Sequence, residues 1–147
     1  MIPIHLSDNA LATLMAAGLG AAIGAEREWR RHPGGLRSCA LVASAASVFA
    51  IIAVKHGGGN PAAGLGAIAS GVGFLGAGVI MHEGAQVRGL STAATFWAVA
   101  AIGTAAGLLD FGMALGLTLV VFFAHVLLRP LSSWIERKAP PQEIGPL

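Results

Sequence analysis

Five apolar runs, at residues 9–25, 38–54, 64–81, 93–109 and 111–128, constrain this chain more than anything else in it. Each is 17 or 18 residues long and holds no Asp, Glu, Lys or Arg. A helix needs about 17–25 such residues to cross the hydrocarbon core of a bilayer. The runs are too long for strands, and they lack the polar stripe of a helix on a soluble core. Apolar residues make up 55% of the 147 residues and charged residues 11%, against about 25% charged in soluble domains. A soluble domain of this size could not hide so much apolar surface. The expectation is an all-α polytopic membrane protein of about five transmembrane helices.

Helix-start signals fall between the runs. Ser7 and Asp8 precede the first, Asn60-Pro61 the third, Ser91 and Thr92 the fourth, and Asp110 the fifth. Short polar side chains cap orphan amides there, and Pro suits a first helical position. One residue separates the fourth and fifth runs, which predicts a tight helical hairpin.

Orientation follows from the cations. Arg27, Arg30, Arg31 and Arg37 surround the first break, Arg88 lies in the third, and Arg129, Arg137 and Lys138 follow the fifth run. With five crossings these fall on one side, eight of nine basic residues, and only Lys55 falls on the other. The positive-inside rule makes the rich side cytoplasmic, with the N-terminus outside and the C-terminus inside. The first ten residues hold no Lys or Arg, so no cleavable signal peptide is expected. Cys39 is the single cysteine; it reads as a small buried residue, although nearby Arg37 would favour a reactive thiol if it were exposed.

A weak repeat accompanies this layout. Displaced by 54 positions, Gly24 meets Gly78, Gly35-Leu36 meets Gly89-Leu90, Ser38 meets Thr92 and Ala40 meets Ala94. Small residues four apart predict where helices approach closely without a hydrophobic drive. They are Ala16, Gly20 and Gly24 in the first helix, and Ala69, Gly73 and Ala77 in the third, with Gly76 and Gly78 beside them. Gly103/Gly107 and Gly112/Gly116 do the same in the fourth and fifth.

Ionisable groups inside the membrane usually mark function, and here the spans are bare except for His125. His125 reads as a neutral residue bonded to a neighbour, and Asp110 as a cap. Charge gathers instead at the inner boundary. In Gly24-Ala-Glu26-Arg27-Glu28-Trp29-Arg30-Arg31-His-Pro-Gly34-Gly35-Leu36-Arg37, Glu26 and Arg30 have the spacing of a helical ion pair. Arg37 could reach back to Glu26. The Gly34-Gly35 turn could receive a carboxylate or anion on its amides. The third break, His82-Glu83-Gly-Ala-Gln86-Val87-Arg88-Gly89-Leu90, repeats the theme. No metal-ligand spacing, nucleophile–base set, phosphate loop or dinucleotide fingerprint occurs. The expectation is no enzyme, no cofactor, no metal and no nucleic-acid partner.

At these breaks the sequence resembles the MgtC/SapB family of bacterial inner-membrane proteins. The resemblance rests on Gly24-Ala-Glu26-Arg27-Glu28, Gly35-Leu36-Arg37-Ser38-Cys-Ala-Leu41-Val42, Gly73-Phe74-Leu75-Gly76-Ala77-Gly78-Val79-Ile80 and Val87-Arg88-Gly89-Leu90-Ser91-Thr92-Ala93-Ala94-Thr-Phe-Trp97. Ser38 and Ser91 stand where Thr is expected in many members. The resemblance implies a five-helix transmembrane domain over residues 1–129, followed here by a short Pro-rich cytoplasmic tail at 130–147 in place of the ACT-like domain of some members. It also implies a multi-pass protein of the bacterial cell inner membrane, linked to growth at low magnesium and to intracellular survival. The motif residues Glu26, Arg27, Glu28, Gly35, Arg37, Arg88, Gly89 and Thr92 would hold the cytoplasmic turns, with anionic lipid headgroups as counter-ions. The function expected is a non-enzymatic modulator of membrane machinery, for example the F-type ATP synthase, acting through helix contacts with a partner or as a homo-oligomer. The alternative is a small oligomeric transporter or channel for Mg²⁺ or another solute, although no carboxylate ring lines any span.

Overall fold

A computed structural model of the chain describes residues 6–56, 60–83 and 86–138. Among these residues the chain forms five α-helices and one short antiparallel ribbon. They are α1 (Leu6–Trp29), α2 (Leu36–His56), α3 (Pro61–Val79), β1 (Met81–Glu83), β2 (Gln86–Arg88), α4 (Leu90–Gly107) and α5 (Phe111–Lys138). The fold is the expected all-α polytopic one. Helices α2, α3, α4 and α5 are each long and apolar enough to cross a membrane. The 24-residue α1, about 36 Å long, does not reach the same apolar density because polar residues occupy both its ends.

Helix ends are set by local chemistry. Asn60 caps α3 through its side chain to the Ala63 amide at 3.4 Å, with Pro61 at the first helical position. Asp110 Oδ1 accepts from the Met113 amide at 2.9 Å and opens α5. Ser91 and Thr92, expected to open α4, lie inside it, and Gly89 is the cap residue, with φ 91°. A Cβ there would run into the Val79 carbonyl. Both α2 and α4 begin at the Leu of a Gly-Leu pair, so the 54-residue displacement recurs in where these two helices start. Ser7 and Asp8, expected to precede the first helix, sit in the first turn of α1.

Helices α1 and α4 end in the same way. Beyond α1, Arg31 takes a left-handed conformation (φ 58°) while His32 N donates to Arg27 O and Arg31 N to Glu28 O. Beyond α4, Leu109 (φ 63°) does likewise, with Asp110 N to Ala105 O and Leu109 N to Ala106 O. These are Schellman turns, made without the usual glycine.

Helix α4 is central, touching each of the other four. Its buried side includes Phe96, Val99 and Ile102, packed with Ala16 and Ile23 of α1, Ala43 of α2, and Ala114 and Val121 of α5. Gly103 and Gly107 let α4 lie directly on α2: a Cβ at either would meet the carbonyl of Ala43 or Ser47. Gly20 and Gly24 do the same for α1 on α2, against Cys39 O and Leu36 Cα, both 2.6 Å from the place of a Cβ.

Two expectations need correction. The α3 face of Ala69, Gly73 and Ala77 is exposed, and Gly76 is the buried residue of that helix. Nothing lies within 4 Å of a Cβ placed at Gly73, Gly78 or Gly116, and Gly112 meets only Asp110 Oδ1 at 3.7 Å. Among the described residues these glycines do not pack helices together: Gly73 and Gly78 lie off the Gly76 side by which α3 meets Ala93 of α4, and Gly112 and Gly116 of α5 meet no neighbouring helix. Second, the residues after 129 do not begin a tail at Pro130: α5 continues through it to Lys138. Proline there forfeits one backbone hydrogen bond, and Ser133 Oγ bonds the Pro130 carbonyl at 2.9 Å.

Candidate functional site

The basic end of the bundle is organised around one side chain. Arg27 sits near the end of α1 on the stripe Ala12, Ala16, Gly20, Ile23, all buried, and is itself 2% exposed. Helical spacing of three and four carries that apolar stripe straight to the guanidinium.

Burial of a cation requires that its donors be satisfied, and four of the five guanidinium N–H groups have acceptors. Nε donates to Gly34 O at 3.2 Å and Nη2 to Pro33 O at 2.6 Å. Nη2 also reaches Thr92 Oγ1 and Nη1 reaches Thr95 Oγ1, both at 2.9 Å. The first two partners lie in the α1–α2 turn, and the threonines lie on successive turns of α4. One residue therefore clasps the end of α1, the first turn and the start of α4. The turn can offer its carbonyls because Gly34 has φ 75° and packs closely on Phe96 and Thr92. Cys39 Sγ bonds the same Gly34 carbonyl at 3.3 Å, fully buried, which matches its reading as a small buried residue.

A second layer extends from Thr95. Its hydroxyl has one proton, directed to Ser91 O at 2.8 Å, so its oxygen accepts from Arg27. His125 Nε2 of α5 lies 3.2 Å from the same oxygen, and Nδ1 lies 3.3 Å from Glu26 Oε2. Glu26 also pairs with Arg30, as its spacing predicts. Glu28 Oε2 accepts from the Leu36 amide at 2.9 Å, so a carboxylate bonds the first amide after the Gly34-Gly35 pair. A side chain added at Gly35 would strike Glu28. Arg37 does not reach Glu26; it is exposed, as is Arg88 on the ribbon.

The hydrogen-bond partners of Arg27 are thus protein carbonyls and hydroxyls. Thr95 was not among the residues expected to hold the turns, although Thr92 and Thr95 have the i, i+3 spacing of one helix face. Among the described residues, no group of three His, Cys, Asp or Glu side chains gathers as a metal would require. Beside the clasp, a cleft of about 480 Å³ opens between α1, α4 and α5, bordered by Glu26, Arg30, His32, Ser91, His125 and Leu128.

The sequence pattern of the MgtC family matches residues 13–134. The chain belongs to the MgtC family. Protein MgtC of Salmonella typhimurium is 47% identical over 129 residues, covering 88% of this chain and 54% of that protein. Protein MgtC of Brucella abortus is 42% identical over 122 residues, or 82% and 51% of the two chains. An uncharacterized protein of Synechocystis is 41% identical over 133 residues, or 90% and 57%. The chain therefore spans about half the length of these curated MgtC-family relatives. No solved structure matches it. The clasp and the cleft both lie within the matched segment, so the polar end belongs to the part this chain shares with the MgtC family.

Proposed function

We propose that this MgtC-family membrane protein is a non-enzymatic, multi-pass component of the bacterial inner membrane that modulates other membrane machinery through helix contacts. The F-type ATP synthase is an example of such machinery, in the setting of low-magnesium adaptation and intracellular survival. The observation that supports this is the open surface of α3. Gly66, Gly71, Gly73 and Gly78 have nothing within 4 Å of a Cβ, on a helix that buries little of itself in the chain. Glycine lowers helix stability in return for close approach of another backbone, and here no described part of the chain makes that approach. An apolar groove of about 570 Å³ beside it, between Phe49 and Ile52 of α2 and Ile68 and Leu75 of α3, suits side chains of an incoming helix.

The second reading, a small oligomeric transporter for Mg²⁺ or another solute, draws on Glu26 and His125 beside the polar cleft. Against it, no ionisable group follows within the described spans from His125 toward Asp110. Crosslinking from photoreactive residues at Gly73 and Gly66 in native membranes, with flux measured in liposomes, tests both. One defined membrane-protein adduct, without saturable Mg²⁺ movement, is expected. Saturable flux abolished by Glu26→Gln, with no adduct, would replace the modulator by the transporter.

A further inference from the structure

We propose that the cleft between α1, α4 and α5 at the basic end binds a phosphoryl anion, the phosphate of an anionic phospholipid or a soluble phosphate. The residues at its wall carry a surplus of positive charge and of donors. Among the described residues at the wall, Arg27 and Arg30 are cationic, Glu26 is the one carboxylate, and His32, His125 and Ser91 add hydrogen-bonding groups. Arg30 gives its Nε to Glu26, which fixes the guanidinium and leaves its two Nη groups outside that contact. An arginine held this way presents a planar fork suited to phosphate oxygens. Arg27 contributes charge from behind the wall while its own fork is occupied by carbonyls and threonines. A volume of about 480 Å³ exceeds that of a phosphate and lies within the range of small-ligand sites.

The cleft also has an apolar side. Ala124 and Leu128 of α5 border it, and Leu127 and Leu128 are exposed along the same helix. A headgroup in the cleft could therefore keep its glycerol and acyl portion against α5. This is a different surface from the glycine face of α3, so the two proposals stand or fall separately.

The test uses the full chain in nanodiscs of phosphatidylcholine. Phosphatidylglycerol is titrated in one arm and inorganic phosphate in the other, with retention read by native mass spectrometry and calorimetry. The variants are Arg30→Gln and Ser91→Ala, and Arg37→Gln removes an exposed cation of the same boundary outside the cleft. Thermal melts establish that each variant folds. Saturable binding in either arm, weakened about tenfold or more by Arg30→Gln and unchanged by Arg37→Gln, is the expected result, and the responding arm identifies the source. Binding in neither arm, or equal weakening by Arg30→Gln and Arg37→Gln, overturns the proposal, since equal loss is what diffuse attraction of headgroups to a basic surface would give. If Arg30→Gln fails to fold, Ser91→Ala carries the same comparison.

Discussion

Arg27 holds three parts of the chain through four hydrogen bonds, and lysine could not replace it. An ammonium is a point donor on a flexible stem and cannot bridge the Pro33 and Gly34 carbonyls and two threonine hydroxyls at once. Arg27→Gln leaves several of those acceptors unsatisfied in a buried setting and is expected to lower stability by about 3 kcal/mol or more, read from thermal unfolding in detergent. Arg27→Lys should fall between Gln and the wild type. Thr92→Val and Thr95→Val each remove one acceptor and should cost about 1–2 kcal/mol, with less than additive loss in the double variant because they share one guanidinium. Composition and charge placement made the importance of this segment legible, but not which arginine turns inward. The decisive signals were the phase of α1 and where it ends. Arg27 continues the buried stripe of Ala12, Ala16, Gly20 and Ile23, whereas Arg30 and Arg31, at the next step of that stripe, fall beyond the end of α1 at Trp29. What no spacing could supply was the partner set, because Thr92 and Thr95 lie 65 and 68 residues away along the chain.

At the scale of elements, glycines of identical appearance divide into two kinds. Gly103 and Gly107 lie against the backbone of α2, while Gly73 and Gly78 face open surroundings. Gly103→Ala must push α4 off the Ala43 carbonyl and should lower stability by an amount typical of overpacking, about 1–3 kcal/mol, read as a lower melting temperature. Gly73→Ala should leave the isolated protein unchanged or slightly more stable, since alanine favours helix by up to about 1 kcal/mol. If α3 docks a partner, the same substitution should weaken crosslinking while the melt stays put. The GxxxG spacing was visible in the sequence for both kinds, and spacing alone cannot distinguish them. The difference arises from which face α3 turns to its neighbours, a consequence of tertiary packing. The helix ends carry another expectation. Arg31→Gly relieves a left-handed arginine in an exposed turn and should stabilise by up to about 1 kcal/mol.

For the whole molecule, the long apolar runs set the number of helices, and five helices form. The clasp draws the end of α1, the α1–α2 turn and the start of α4 to one end, which the charge bias predicts to be cytoplasmic. Labelling checks the sidedness directly. In a Cys39→Ala background, Asn60→Cys should react with an impermeant maleimide added outside cells, and Arg37→Cys only after the membrane is opened. The clasp also has a consequence in time. A ribosome delivers α1 and α2 well before Thr92 and Thr95 exist, so the newborn hairpin holds Arg27 with the carbonyls of Pro33 and Gly34 alone. That early hairpin is provisional, and the arrival of α4 locks it. Chains halted before residue 90 should accordingly be cleared by membrane proteases, while chains extended through α4 should persist. Assembly of this end is thus ordered by synthesis, with the fourth helix serving as the latch on the first.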